Sequence, residues 1–329
     1  VTRRAGFADV LTGNSRSRPC AWYDSGVSRW REFTGALVVA FALGGCGAAA
    51  EQPHLEVKAR RQTPIPVCTT QLAPVRSAGK GRALVRSLDP EQWAQVLMPG
   101  FAEDKGLSAT ELDCTGHYVF ANETLRGGIS PKGWPRALDP DEMEMRSGPE
   151  GLRVLWLRVL KFENGDEGGP VALVRAVDDR AEVYGIGSFR APPKSKLDPV
   201  RLGDDNLVVG ETKHCPDADD CRRQAHFFLV RRGRLIEAAT ADLDRVAVVP
   251  SVTERGNYAR YVLRTDVTYK PEGIQLLEQV KVKIIHYESK NRDSDRDLRK
   301  VEFGRLLRVE RDTLFSSNDP LWERVVGQD

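Results

Sequence analysis

The chain is 329 residues long, and its 49 basic against 47 acidic residues leave a net charge of +2. With 40% hydrophobic and 29% charged residues it has the composition of a packed globular protein, not of a disordered one. No basic run stands out, so the electrostatic footprint of a nucleic-acid binder is missing, and the one membrane-like stretch is too short to cross a bilayer.

Residues 1–26 are polar and Arg-rich, contain Cys20 and have no apolar run. They read as sequence upstream of a true start at Val27, or as a long n-region, and residues 1–45 take no part in fold reasoning. From Val27 the character changes: Arg29 and Arg31 form a positive flank, Ala36 to Leu43 an apolar run, and Gly44, Gly45 and Cys46 follow. A bilayer span needs about 20 apolar residues, so this run is a signal core and not a transmembrane helix. An apolar core ending in Leu-Gly-Gly-Cys resembles the lipobox of bacterial lipoproteins. The resemblance is confined to this segment. It implies a signal peptide over 27–45, cleavage before Cys46, and fatty acylation (palmitate included) of that cysteine. Each buried methylene contributes ~0.8 kcal/mol, so several acyl chains anchor a protein stably where one does not. In that class an aspartate after the cysteine favours inner-membrane retention; Gly47 stands there and implies the outer membrane.

Residues 46–80 follow as lipidated cysteine and flexible tether, rich in Ala, Pro, Gln and basic residues. Residues 81–329 read as a single β-rich domain. Asp89 as cap, Pro90 in the first turn and the apolar face Trp93, Val96, Leu97 predict a helix, stopped by Pro99-Gly100. Ser108 with Glu111 predicts a second, brief one. HYVFAN (117–122) reads as a short strand and 124–150 as an irregular connection. Strands are predicted over 152–162, 171–177, 181–189, 206–212, 226–232, 234–240, 259–269, 274–287 and 300–310, joined by turns rich in Gly, Asp, Asn and Pro. Asp319-Pro320-Leu321-Trp322 opens a last short helix. Consecutive strands with short turns predict a mainly β fold, an antiparallel meander forming a curved sheet, sandwich or barrel-like body with short helices at either end.

The four remaining cysteines, Cys68, Cys114, Cys215 and Cys221, predict two disulfides in an oxidising compartment. Cys215 and Cys221 bracket the polar loop PDADD and are paired, which leaves Cys68 with Cys114. A zinc site from His214, Cys215, Cys221 and His226 has suitable ligand types, but its spacing fits neither finger nor ribbon patterns.

A search for chemistry returns no phosphate loop, no His-Glu-x-x-His and no Gly-x-Ser-x-Gly. Gly185 and Gly187 fall within a predicted strand and mark a bulge or bend. His117 and His286 read as strand residues. Asp293, Asp295 and Asp297 imitate a calcium loop, yet Leu298 occupies the glycine position and Gly304 that of the bidentate glutamate. Asp217, Asp219 and Asp220 read as a solvated turn. Glu182, Glu211, Glu237 and Glu278 lie on predicted strands and are read as outward-facing. No catalytic residue, metal or cofactor is assigned. The expectation is a membrane-anchored envelope lipoprotein with a non-enzymatic, structural or protein-interaction role. It would reach the membrane through its lipid and meet an envelope protein partner. A carrier of lipid or another apolar ligand and a hydrolase are the alternatives.

Overall fold

The computed structural model describes residues 65–71, 88, 90–130, 133–177, 179–285 and 296–328. Cys46 with the whole export segment, Asp89, His286, Asp293 and Asp295 lie outside the described residues. The described residues fall within one unit, Ala59–Asp329. In chain order its elements are β1 (Cys68–Gln71), α1 (Pro90–Leu97), β2 (Met143–Ser147), β3 (Leu152–Leu157), β4 (Leu160–Lys161), β5 (Glu167–Val177), β6 (Arg180–Ala191), β7 (Lys196–Leu202), β8 (Asp205–His214), β9 (Cys221–Arg231), β10 (Arg234–Pro250), β11 (Tyr258–Lys270), β12 (Gly273–Ile285), β13 (Arg296–Glu310), β14 (Thr313–Phe315) and α2 (Leu321–Val325).

The protein is mainly β, as its alternating apolar pattern predicts. Its strands form a sheet whose main path runs β14-β13-β12-β11-β10-β6-β5-β3-β2, with β7-β8-β9 joined to it through β10. Among the described residues pairing is antiparallel except for one parallel contact, Arg234 with Ile186. β10 is the pivot: it pairs with β9 from Arg234 to Val246 and with β11 from Asp244 to Pro250.

On β11 and β12 burial follows the two-residue period of a strand. On β3, β5 and β6 both faces are covered. Leu155, Leu157, Ala172, Val174 and Val183 pack under α1 and the connection that follows it, while Val154, Trp156, Val171, Leu173 and Tyr184 pack against β7, β8 and β9. The unbroken run LRVLWL is the sequence trace of that double burial. The other face of β8 and β9, with Leu207, Val209, Phe227 and Leu229, meets Ile274 and Leu276 of β12. Further along the same face of β12, Val280, Val282 and Ile284 pack beneath Leu321, Trp322 and Val325 of α2.

Several expectations change. Cys68–Gln71, read as tether, forms a strand against β6, because its backbone finds partners from Arg180 to Val183. HYVFAN is not a strand: Asp113 accepts the amides of Thr115 and His117 at 2.8 and 3.1 Å, folding the chain back and leaving one bridge, Leu112 with Tyr118. Ser108–Glu111 makes a single turn and no helix. β2 emerges from the stretch read as irregular, and β7 from the connection between two predicted strands; β7 carries Pro199, which a strand bonded along only one edge tolerates. β10 continues ten residues past Thr240 to Pro250, since bulges after Glu237 and Asp242 interrupt the alternation that would have betrayed it.

Candidate functional site

The structure pairs Cys68 with Cys114 (Cα–Cα 6.1 Å) and Cys215 with Cys221 (4.0 Å), the pairing expected from their spacing. With both sulfurs of the close pair in a disulfide, the four-ligand zinc site is not assembled. His214 is exposed at the end of β8, and His226 lies within β9, bonded on both sides to β8 and β10 and not at a sheet edge. Among the described residues no group of three or more His, Cys, Asp or Glu side chains is placed to hold a metal. Asp217 turns its carboxylate onto the amides of Asp219 and Asp220, at 2.8 and 2.7 Å, and Asp297 pairs with Lys283 at 3.1 Å.

The four strand glutamates divide. Glu278 and Glu182 face inward, correcting the expectation that all four point to solvent. Glu278 shares the parity of Leu276 and Val280, and its buried carboxylate accepts Arg305 Nε and the Leu321 amide, each at 2.8 Å. Glu182 accepts the Tyr184 hydroxyl and, at 3.3 Å, Arg175. The Tyr184 bond, outweighing burial, holds the Glu182 carboxyl below its usual range. Burial first, then the bond to Glu182, pushes Tyr184 up to about 12. Glu211 pairs with Arg223 at 3.3 Å near the surface. Glu237 is the exception with an imidazole for partner.

His117 belongs to a different cluster. Its Nδ1 lies 2.9 Å from the Thr115 hydroxyl, which donates to Asp113; Arg234 reaches the same carboxylate at 3.0 Å beside a cleft of about 280 Å³. Both carboxylate oxygens of Asp113 are engaged in holding this turn against β10, so the cluster is architectural.

The arrangement with chemical potential lies across β8, β9 and β10. His226 Nδ1 is 2.7 Å from Glu237 Oε1, and His226 Nε2 is 3.0 Å from Thr212 Oγ1. Alternation puts Gly210 and Thr212 of β8, Gln224, His226 and Phe228 of β9, and Glu237 and Thr240 of β10 on one face. Glu237 stands opposite Phe228, and its carboxylate reaches the His226 ring along the diagonal; the bulge after Glu237 shifts the register so that Thr240, not Ala239, stands opposite His226. Gly210 makes room for the Phe189 ring: a Cβ there would stand 2.8 Å from Phe189 Cζ, and that ring meets the His226 imidazole edge-on at 5.6 Å. A cleft of about 340 Å³ opens beside the imidazole and the carboxylate, lined among others by Phe189, Phe228 and Leu235, with Thr124 and Ser188 joined by a 2.7 Å hydrogen bond.

A hydroxyl, an imidazole and a carboxylate in this order form a relay: the carboxylate orients the ring and the ring's far nitrogen accepts the hydroxyl proton. Sequence reasoning singled out His226 and Glu237 separately and passed over Thr212. No local motif links them, since the contacts span 14 and 11 residues; strand parity was the available signal, and it does not tell which strands lie side by side.

No family model, curated protein or solved structure matches the chain.

Proposed function

We propose that this chain is an exported envelope protein, held at the outer membrane by lipid on Cys46, whose β domain works by contact with an envelope protein. The observation that carries the reading is the pair of disulfides within the folded unit, since such bonds persist in oxidising compartments outside the cytosol. The signal-like segment preceding the folded unit supports the same address. Contact is favoured over lipid carriage because the region between β8, β9 and β12 is filled by Leu207, Phe227, Leu229, Ile274 and Leu276, the protein's own side chains.

Metabolic labelling with a fatty acid tests the anchor. The wild-type protein takes up the label, and Cys46→Ser abolishes it and leaves uncut precursor. Label that persists on the Cys46→Ser protein refutes the proposal.

A further inference from the structure

We infer that Thr212, His226 and Glu237 form a hydrolytic site for carboxylic esters, a capacity separate from anchoring and independent of it. Three features converge. The hydroxyl and the carboxylate occupy opposite nitrogens of one imidazole, at 3.0 and 2.7 Å. A carboxylate only accepts hydrogen bonds, so in the neutral ring the proton sits on Nδ1 toward Glu237 and Nε2 is left to accept from Thr212. The three side chains are anchored on β9 and the two strands bonded to either side of it, which fixes their geometry better than loops would.

The surroundings supply the rest of a site. Gln224 stands directly opposite Thr212 in the β8–β9 register, on the same face, and is assigned the part of amide donor for negative charge developing on a carbonyl oxygen attacked by Thr212. The cleft beside His226 and Glu237 has Phe189, Phe228 and Leu235 in its lining, apolar surface for an alkyl group of a substrate whose carbonyl is attacked across the ring at Thr212. A single amide donor gives limited oxyanion stabilisation, and an alkoxide departs more easily than an amine. The substrate class is therefore esters, not peptides.

Thr212 Oγ attacks the ester carbonyl carbon, forming the new C–O bond, while its proton passes to His226 Nε2. The tetrahedral intermediate collapses, the bond to the leaving oxygen breaks, and His226 returns that proton to the departing alcohol. Water then attacks the acyl-threonine with His226 taking its proton, and collapse releases the carboxylic acid and restores the Thr212 hydroxyl. Thr212 and His226 are catalytic residues; Glu237, which touches only the ring, is a positioning residue.

The test uses the full-length protein in mild detergent, with p-nitrophenyl acetate and butyrate as substrates and a fluorophosphonate probe read by intact mass and peptide mapping. Wild type is expected to turn over the esters and to take one probe adduct, on Thr212. Thr212→Val, nearly isosteric, loses both, and Thr212→Ser keeps both. Glu237→Gln lowers kcat by about 10³–10⁴-fold with KM little changed, the pattern of a mis-set imidazole. Wild-type protein that shows neither turnover nor adduct overturns the inference, as does a Thr212→Val protein that hydrolyses the esters at the wild-type rate.

Discussion

Glu278 is 2% exposed and sits where the two halves of the β12 core meet, between Leu276 and Val280. Its carboxylate is matched by Arg305, whose side chain is 7% exposed, and it also accepts the first amide of α2. A charge this deeply placed is stable only with its partner, so Glu278→Ala should cost about 3–5 kcal/mol by leaving Arg305 buried and unpaired. Replacing both, Glu278→Leu with Arg305→Met, should recover most of that loss, because two apolar side chains carry no desolvation penalty. Urea denaturation followed by tryptophan fluorescence measures both. Asp113 gives a pH-dependent counterpart. Burial alone would raise its carboxyl, but the bonds from Thr115, His117 and Arg234 outweigh burial and hold it below the usual range. A lowered folded-state value means the ionised form stabilises the fold. That contribution is complete above the ordinary aspartate value of about 3.9 and disappears as pH falls through the lowered one. Asp113→Asn should therefore lose stability at pH 7 and show a flatter decline between pH 5 and 2 than wild type, as read from denaturation midpoints.

At the level of elements, the junction of β6 with β10 depends on the absence of a side chain. A Cβ on Gly187 would lie 2.8 Å from Leu235 Cβ and 2.9 Å from the Leu235 carbonyl oxygen. That junction also carries a parallel contact, Arg234 with Ile186, and lies beside the Asp113–Arg234 pair. Gly187→Ala should destabilise the domain by about 1–3 kcal/mol, the usual cost of forcing an extra carbon into a packed region, measurable as a lower melting temperature. Gly304 on β13, with open space around its missing Cβ, is the control: alanine there should change stability far less. The bulge after Glu237 plays a different part, since it brings Thr240 in place of Ala239 opposite His226.

For the whole molecule, the two disulfides differ in how much chain they close. Cys68–Cys114 spans 46 residues and ties β1 to the segment after α1; Cys215–Cys221 spans 6. In the chain-entropy account these loops correspond to about 4 and about 2 kcal/mol, so Cys68→Ser with Cys114→Ser should cost roughly twice as much as Cys215→Ser with Cys221→Ser. Equilibrium denaturation of the two double variants decides it, and equal losses would contradict the assignment of a structural staple to the longer loop.

The strand pattern was legible because alternation is local: Val280, Val282 and Ile284 announce a half-buried strand without reference to any other part of the chain. The disulfide partners were legible for a related reason, as six residues around a polar turn leave Cys215 little choice but Cys221. Even the inward placement of Glu278 was written in its parity with Val280, although its charge argued the other way. By itself the sequence determined the β class, most of the strands after residue 150 (β7, β14 and the second half of β10 excepted), both cystines and the two terminal helices. Only the tertiary structure decided that 68–71 belongs to the sheet, that β10 bends through two bulges to serve both β9 and β11, and that Thr212, His226 and Glu237 meet. Those outcomes depend on which strands lie side by side and in what register, and register is set by packing between distant residues that no short window of sequence contains.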